Sequence, residues 1–459
     1  MIMLNFFVID QELVNLLFLL TGLIISGILF YAGIISLIEK EQRAFRVSCM
    51  LSVLVAVPFL ILYMMDFQYK DVIVNTTLVL IILSLIILFF PYNPKVKEGF
   101  QIPNEKHDER DVMFSRNELK PKTDKYKAYY SKNPDKKEPD DKFREKPGLL
   151  SSESSLYHPY SFASAHANLE VIEALKPIVD GPFSETITEI DPLNISRYIK
   201  TWCKNLGAHS VGITELKDFH LYSNKGRGTV YGKEIKNNHK YAIAITIEMD
   251  HEMIQTAPKG PVVMESTQEY LNSGTIALQV ANFIRNLGFP ARAHIDGNYE
   301  VICPLVARDA GLGEIGRMGL LMTPSLGPRV RIAVVTTDIP LIIDRRRDRS
   351  SVIDFCEICK KCADACPSRS ISFESRVEIN GILRWKINSE SCFTYWCSSG
   401  TDCGRCMAVC PYSHPNNFMH NFIRWGISNS QYFRRFAIYM DNLLYGRRPT
   451  SREIPIWIK

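Results

Sequence analysis

Charge is missing from three long stretches of this chain. Residues 13–38, 47–65 and 72–94 contain no Asp, Glu, Lys or Arg. A hydrocarbon core of about 30 Å takes roughly 20 helical residues, so each run is long enough to cross a bilayer. Three in succession exclude ordinary buried core helices. The first is also too long for a cleaved signal peptide and lacks its basic leader. No twin-arginine pair precedes it, so export of a pre-folded cofactor protein is not expected. A strong net charge is lacking too. The balance of 54 Lys and Arg against 49 Asp and Glu leaves +5, which gives no reason to expect a nucleic-acid partner.

The expected anchor is therefore three transmembrane helices within 1–94, in contact with membrane lipid. Its first loop, Glu39 to Arg46, carries Lys40, Arg43 and Arg46, whereas the second carries only Lys70 and the segment after the third begins with Lys95 and Lys97. Cationic loops stay on the cytoplasmic side. That places the first loop and the long C-terminal part together in the cytoplasm, at the inner membrane of the cell.

Beyond the anchor the composition changes. Residues 95–190 read as a linker and wrapping segment. They are polar around Lys136-Lys137-Glu138, yet Tyr126, Tyr129, Tyr130 and Phe143 argue that they lie on something. Residues 191–345 read as an α/β domain. Tyr241–Glu248 alternates like a strand, Ile276, Val280, Phe283 and Leu287 recur at helical spacing, and Arg331–Thr336 is a second strand. Residues 346–420 follow as a ferredoxin-type module, and 421–459 as a C-terminal segment packing on the core.

The module is defined by cysteine. Nine of the twelve cysteines fall between 356 and 410. Cys356, Cys359, Cys362 and Cys366, with Pro367 after them, form the C-x2-C-x2-C-x3-C-P run of a bacterial ferredoxin. Cys403, Cys406 and Cys410-Pro411 repeat its second half. Thiolates so spaced can wrap one face of an iron–sulfur cube, and in two-cluster ferredoxins the fourth Cys of each run ligates the other cluster. Structural zinc would want two separate pairs. Two 4Fe–4S clusters are expected, one on Cys356, Cys359, Cys362 and Cys410. The other takes Cys366, Cys403 and Cys406, with Cys392 or Cys397 as its fourth ligand. Cysteines used for metal rather than disulfides indicate a reducing compartment.

Gly311-Leu-Gly313-Glu-Ile-Gly316 matches the dinucleotide fingerprint, with Asp338 at a suitable distance. That fingerprint requires a strand before its first glycine, and Pro304–Ala310 reads as helical. Close backbone approach to another large, flat cofactor accounts for the glycines equally well.

Residues 108–448 resemble the reductive dehalogenases, corrinoid and iron–sulfur enzymes that remove halide from organohalides. The resemblance lies in Asp108-Glu-Arg110, Tyr129-Tyr130 with Asp140–Arg144, Ala310–Gly319, Gly327–Arg331, Tyr395-Trp396 before the truncated cluster motif, and Met440–Gly446. It implies a nitroreductase-like corrinoid-binding α/β core, with Gly311, Gly313, Gly316, Arg317 and Gly327 against a cobalamin whose lower base is displaced. No Asp-x-His-x-x-Gly loop offers a histidine to cobalt. The resemblance also implies Tyr270 as proton donor, Arg329 as its cationic partner, and Asp296 or Asn298 on the substrate side. Only one of Arg329 and Arg331 is expected to face the site. The fused anchor departs from the family pattern of a leader and a separate membrane subunit, although Glu39-Lys-Glu41 is similar to an acidic pair in that subunit. A small organohalide and a low-potential electron donor are the implied partners. Two other readings compete. Epoxyqueuosine reductase has a similar core and would make Asp296 the acid, and a membrane electron relay would use the clusters without a corrinoid.

Overall fold

The structure is a computed structural model that describes residues 10–93, 102–346 and 350–459. Lys95 and Lys97, which entered the charge count, lie outside the described residues. The chain divides into two compact units. One holds residues up to Pro94 together with Asn417–Pro449, and the other holds Lys95–Asn416 and Thr450–Lys459.

In the first unit the charge-free runs form α1 (Gln11–Ile38), α2 (Gln42–Met64) and α3 (Lys70–Phe89). Asp10 caps α1 by accepting from the Glu12 amide. All three helices are long and apolar enough to cross a membrane. Their surfaces leave Leu23, Ile24, Val53, Leu54, Leu80 and Ile86 exposed, an arrangement that suits lipid rather than water. α1 and α2 approach closely because Gly22 has no side chain to collide with the Phe59 ring. Phe18 stacks on that ring at 4.4 Å. The Ser26 hydroxyl donates to the Ser52 carbonyl at 3.0 Å, and the Ser52 hydroxyl donates to the Ser26 carbonyl at 2.9 Å.

Two further helices, Phe418–Asn429 and Gln431–Tyr445, complete this unit. The expectation that 421–459 packs on the core is corrected here, since only its last ten residues, 450–459, group with the second unit. The reason is aromatic. Phe89 at the end of α3 meets the rings of Phe422, Trp425 and Phe433, the last at 5.3 Å.

The second unit is built on a four-stranded antiparallel sheet. In chain order its strands are β1 (Ser210–Glu215), β2 (Tyr241–Glu248), β3 (Ala291–His294) and, after the short ribbon β4 (Glu314–Ile315) and β5 (Leu321–Met322), β6 (Val330–Thr337). The order across the sheet is β1-β2-β6-β3, with Ile245 opposite Ala333 and His294 opposite Val334. Alternation along the strands makes two cores. Ile243, Ile245, Ala333 and Val335 pack with Ile276, Val280 and Ile284 of the long helix Pro261–Asn286. Ala242, Ala244 and Val334 pack with Val306 and Ala307 of the helix Cys303–Asp309.

The wrapping segment is ordered. Its helix Pro134–Arg144 lies against the helix Ser389–Ser399, where the ring of Phe143 meets Phe393 edge-on at 5.0 Å. Arg116 and Asp140 pair at 2.9 Å with both side chains buried, and Arg116 also reaches Glu390 at 2.7 Å. The Tyr130 hydroxyl donates to the other oxygen of Asp140 at 2.7 Å. Removing one partner of a buried pair strands the other charge, at about 3–5 kcal/mol. Asp140→Ala should therefore destabilise the detergent-solubilised protein by about that much in denaturant unfolding. A loss within about 1 kcal/mol would show that the pair does not fasten the segment.

Candidate active site

Helix phase separates the cysteines. Cys392 and Cys397 lie five residues apart in the helix Ser389–Ser399, about 140° around its axis, so they face different surroundings. Burial and then the thiol of Cys366 and the carboxyl of Asp402 push the Cys392 thiol up to about 11. Cys397 is raised to about 11 by burial alone, and it packs with Phe143 and Phe393. Cys403 is raised to about 12 by burial, with Cys392 and Cys366 among the thiols acting on it. Cys406 rises further under burial and the thiols of Cys403, Cys362, Cys392 and Cys366. Cys366, Cys392, Cys403 and Cys406 thus form one group.

The other group is Cys356, Cys359, Cys362 and Cys410. The thiol of Cys410 is pushed well up by burial, then by Cys356, Cys359 and Cys362. Thiols so placed stay protonated unless a metal takes them as thiolates. Two sets of four cysteines outside any disulfide, one fully buried and the other half-buried, fit two cubane clusters. The Ser370 amide donates to the Cys366 sulfur at 3.3 Å, the kind of contact that tunes a cluster's potential.

A cavity of about 190 Å³ is lined by Tyr222, Tyr270, Tyr299, Cys303, Pro304, Leu320, Pro328, Arg331 and Ile332, among others. A larger cleft of about 820 Å³ is lined by Lys176, Lys225, Arg292, Asn298 and Glu300. It is polar and holds neither Tyr270 nor a thiol, so the smaller cavity is the candidate site.

Tyr270 lies well inside the helix Pro261–Asn286. The Arg331 guanidinium sits over its ring at 4.7 Å. That cation pulls the phenol's pKa down, but burial and the carboxyls of Asp296 and Asp402 outweigh it and leave the net shift upward. Arg331 donates to Asp402 at 3.0 Å and to the Ser266 hydroxyl at 2.5 Å. Ser266 stands one helical turn before Tyr270, and Asp402 immediately precedes Cys403.

Arg329 does not partner Tyr270, which corrects the expectation. Its side chain is fully buried and donates to the Ser413 carbonyl at 2.7 Å and to Glu248 at 3.0 Å. Strand alternation would not separate it from Arg331, because residues two apart share a face. The separation arises at Pro328, where the Val330 amide turns back to the Pro328 carbonyl before β6 begins.

Asp296 and Asn298 also part. The Asn298 side-chain oxygen accepts from Arg292 at 3.0 Å and faces the larger cleft. Asp296 acts electrostatically on Tyr270 and Tyr299, and burial raises its own pKa against the pull of Arg227 and Lys176.

The glycines meet protein rather than the cavity. Gly311, at φ +79°, ends the helix Cys303–Asp309 with its amide on the Arg308 carbonyl and the Leu312 amide on the Ala307 carbonyl. This is a Schellman cap, which explains a fingerprint without its strand. A Cβ on Gly313 would meet the Met322 carbonyl, one on Gly316 would meet the Met322 side chain, and one on Gly327 would meet Tyr412. Arg317 is buried on the carbonyls of Cys356, Ser372 and Glu374. Gly316, Gly327 and Arg317 therefore join the α/β domain to the cluster module, while Gly311 and Gly313 pack within that domain.

Tyr222, Tyr299 and Asp402 were missed. Single aromatics in loops carry no spacing signal, and Asp402 is recognisable only by its adjacency to Cys403. Among the described residues the cavity lining is aromatic and aliphatic with no histidine. The buried Nε of Arg331 and Oδ1 of Asp402 have no hydrogen-bond partner. Around Arg331, whose Nε is a donor to spare, the lining offers a flat ligand aromatic and aliphatic walls.

Comparison with known proteins agrees with this geometry. Residues 355–414 match the 4Fe-4S dicluster domain family. The tetrachloroethene reductive dehalogenase of Sulfurospirillum multivorans is 31% identical over 300 residues, 58% of this chain and 59% of its own. That of Desulfitobacterium hafniense is 38% identical over 198 residues, 40% of this chain and 35% of its own. The solved structure of the catabolic reductive dehalogenase NpRdhA superposes with a TM-score of 0.63 at 26% identity, over 78% of this chain and 50% of its own. The chain is thus similar to reductive dehalogenases in both sequence and fold.

The chain spans between about a third and three fifths of the length of those relatives. It has the reductive dehalogenase fold, a dicluster domain, and three N-terminal helices fit to cross a membrane. NpRdhA has also been solved in complex with 3-bromo-4-hydroxybenzoic acid. The two cysteines give a direct test. Cys392→Ser should lower iron and labile sulfide by about half, as expected when one of two clusters is lost, and Cys397→Ser should leave both unchanged. The reverse pattern would assign the fourth ligand to Cys397.

Proposed function

We propose that this chain is a membrane-anchored, corrinoid-dependent reductive dehalogenase that replaces the halogen of a small organohalide with hydrogen. The observation that carries the reading is the Arg331 guanidinium held over Tyr270 in an apolar cavity, next to a loop that bears a cluster cysteine. The substrate class follows from the relatives named above, one of which binds a brominated aromatic acid.

The net reaction takes two electrons and one proton, converting R–X into R–H and halide. A bound corrinoid would supply the reductive cleavage, fed by two 4Fe–4S clusters from a low-potential donor. The protein supplies position, dryness and the proton. Tyr222, Tyr299 and the aliphatic wall exclude water from the reacting carbon. Tyr270 delivers its phenolic proton to that carbon. Arg331 steadies the phenolate left behind and attracts the departing halide, while Asp402 and Ser266 hold the guanidinium in place. The cationic loop of Lys40, Arg43 and Arg46 supports the cytoplasmic side of the membrane for this chemistry.

Tyr270 must be protonated to act, so activity falls as pH rises through its pKa. Its net upward shift keeps it protonated across the neutral range. Tyr270→Phe should reduce halide release by about 10²–10⁴-fold, the usual contribution of a general acid, with corrinoid and iron content unchanged. Unaltered turnover would remove Tyr270 from the mechanism.

Arg331→Met deletes the largest downward pull on the phenol. The alkaline limb of the pH–rate profile should move to higher pH while the maximal rate drops. A limb that stays in place would mean that another group titrates there.

A further inference from the structure

The C-terminal hairpin of the first unit carries a surface that the chemistry above does not use. In the helix Phe418–Asn429, the exposed rings of Phe418, Phe422 and Trp425 recur at i, i+4 and i+7. In Gln431–Tyr445, Tyr432, Phe436 and Tyr439 repeat the pattern. That spacing puts three rings on one face of each helix. Phe418 is 78% exposed, Trp425 53% and Tyr439 67%. Water is a poor environment for six such rings.

The surface continues that of α3. Val79, Leu80, Ile82, Leu83, Ile86 and Ile87 leave the flank of α3 exposed and aliphatic. At its end the exposed residues become Phe90 and Tyr92, and Phe89 joins directly to Phe422 and Trp425. A change from aliphatic to Trp and Tyr along one exposed face is the depth profile of a membrane protein, because amphipathic rings settle at the headgroups. Exposed Asn421, Ser428 and Arg435 lie among the rings, as a headgroup layer allows and a hydrocarbon core does not. With 12 and 15 residues, neither helix can cross a core that needs roughly 20. Polar contacts fix the hairpin to the helix ends. The Gln431 amide donates to the Tyr92 carbonyl at 3.0 Å, Asn93 donates to the Asn429 carbonyl at 3.1 Å, and Arg43 donates to the Leu443 carbonyl at 3.3 Å.

We propose that the hairpin Phe418–Tyr445 lies in the headgroup layer of the bilayer, with its six exposed rings against lipid. The inference rests on the reading of α1–α3 as membrane-spanning. It makes the bilayer, rather than a protein partner or a second copy, the cover for this face.

The test uses the full-length chain in liposomes of phospholipid brominated either near the headgroup or deep in the acyl chain. Trp425 emission is taken as the difference between the unaltered chain and Trp425→Phe. Headgroup-proximal bromine should quench it, and deep bromine should quench it less. A control adds Phe30→Trp, in the middle of α1, to the Trp425→Phe chain, and deep bromine should quench that residue. If the Phe30 probe is quenched and Trp425 by neither lipid, the hairpin does not touch the bilayer and the inference fails alone. If deep bromine quenches Trp425 more strongly, the interfacial depth is wrong. If neither probe responds, the spanning reading fails and the inference falls with it.

Discussion

A guanidinium taken out of water costs several kcal/mol unless its donors are met, and the second unit is organised around meeting them. Arg116 joins the wrapping segment to itself through Asp140 and to the cluster module through Glu390. Arg317 closes on the carbonyls of Cys356, Ser372 and Glu374. Arg329 ties the end of β2 to the loop after Cys410. Arg331 connects β6 to Asp402, beside Cys403. Each cation reaches the acceptors it has only when two distant parts of the chain have arrived. The sheet, the cysteine loops and the wrapping helices are thereby held in one relation, and the cavity lies within the α/β domain that this relation fixes.

The candidate site depends on the last of these arginines in a specific way. Tyr270 sits on a long helix that packs against the sheet by ordinary aliphatic contacts, and nothing in that packing selects a tyrosine. Arg331 makes the position chemical, because a cation over the ring and a carboxylate behind the cation leave the phenol protonated yet able to give up its proton. The counter-ion is the neighbour of a cluster cysteine. The loop that bears Cys403 and the side chain of Tyr270 are therefore linked through Asp402 and Arg331.

Much of this was legible in the sequence, and the failures have definite causes. Charge-free runs and cysteine spacing are local signals that no tertiary contact can overrule, so the three helices and the cluster module read directly. The choice between Cys392 and Cys397 required the phase of a helix whose boundaries were unknown. The choice between Arg329 and Arg331 turned on where β6 starts, which the turn at Pro328 decides. Gly311, Gly313 and Gly316 imitate a nucleotide loop because a helix cap and a tight ribbon crossing also need glycine. The rings of the C-terminal hairpin show their helical spacing plainly, but a spacing does not say whether a face meets protein, water or lipid.

The Ser26 and Ser52 clasp between α1 and α2 bears on the order in which the chain is made. Each hydroxyl satisfies the other helix's backbone inside an apolar pair, worth about 1 kcal/mol in such surroundings, and the Gly22–Phe59 notch sets the register. The first two helices can therefore associate as soon as they leave the ribosome. The hairpin that completes their unit is synthesised only after residues 95–416 of the second unit. The ring of Phe89 must wait through that interval for its neighbours, so a chain interrupted late in translation would leave an assembled bundle with its aromatic seat open.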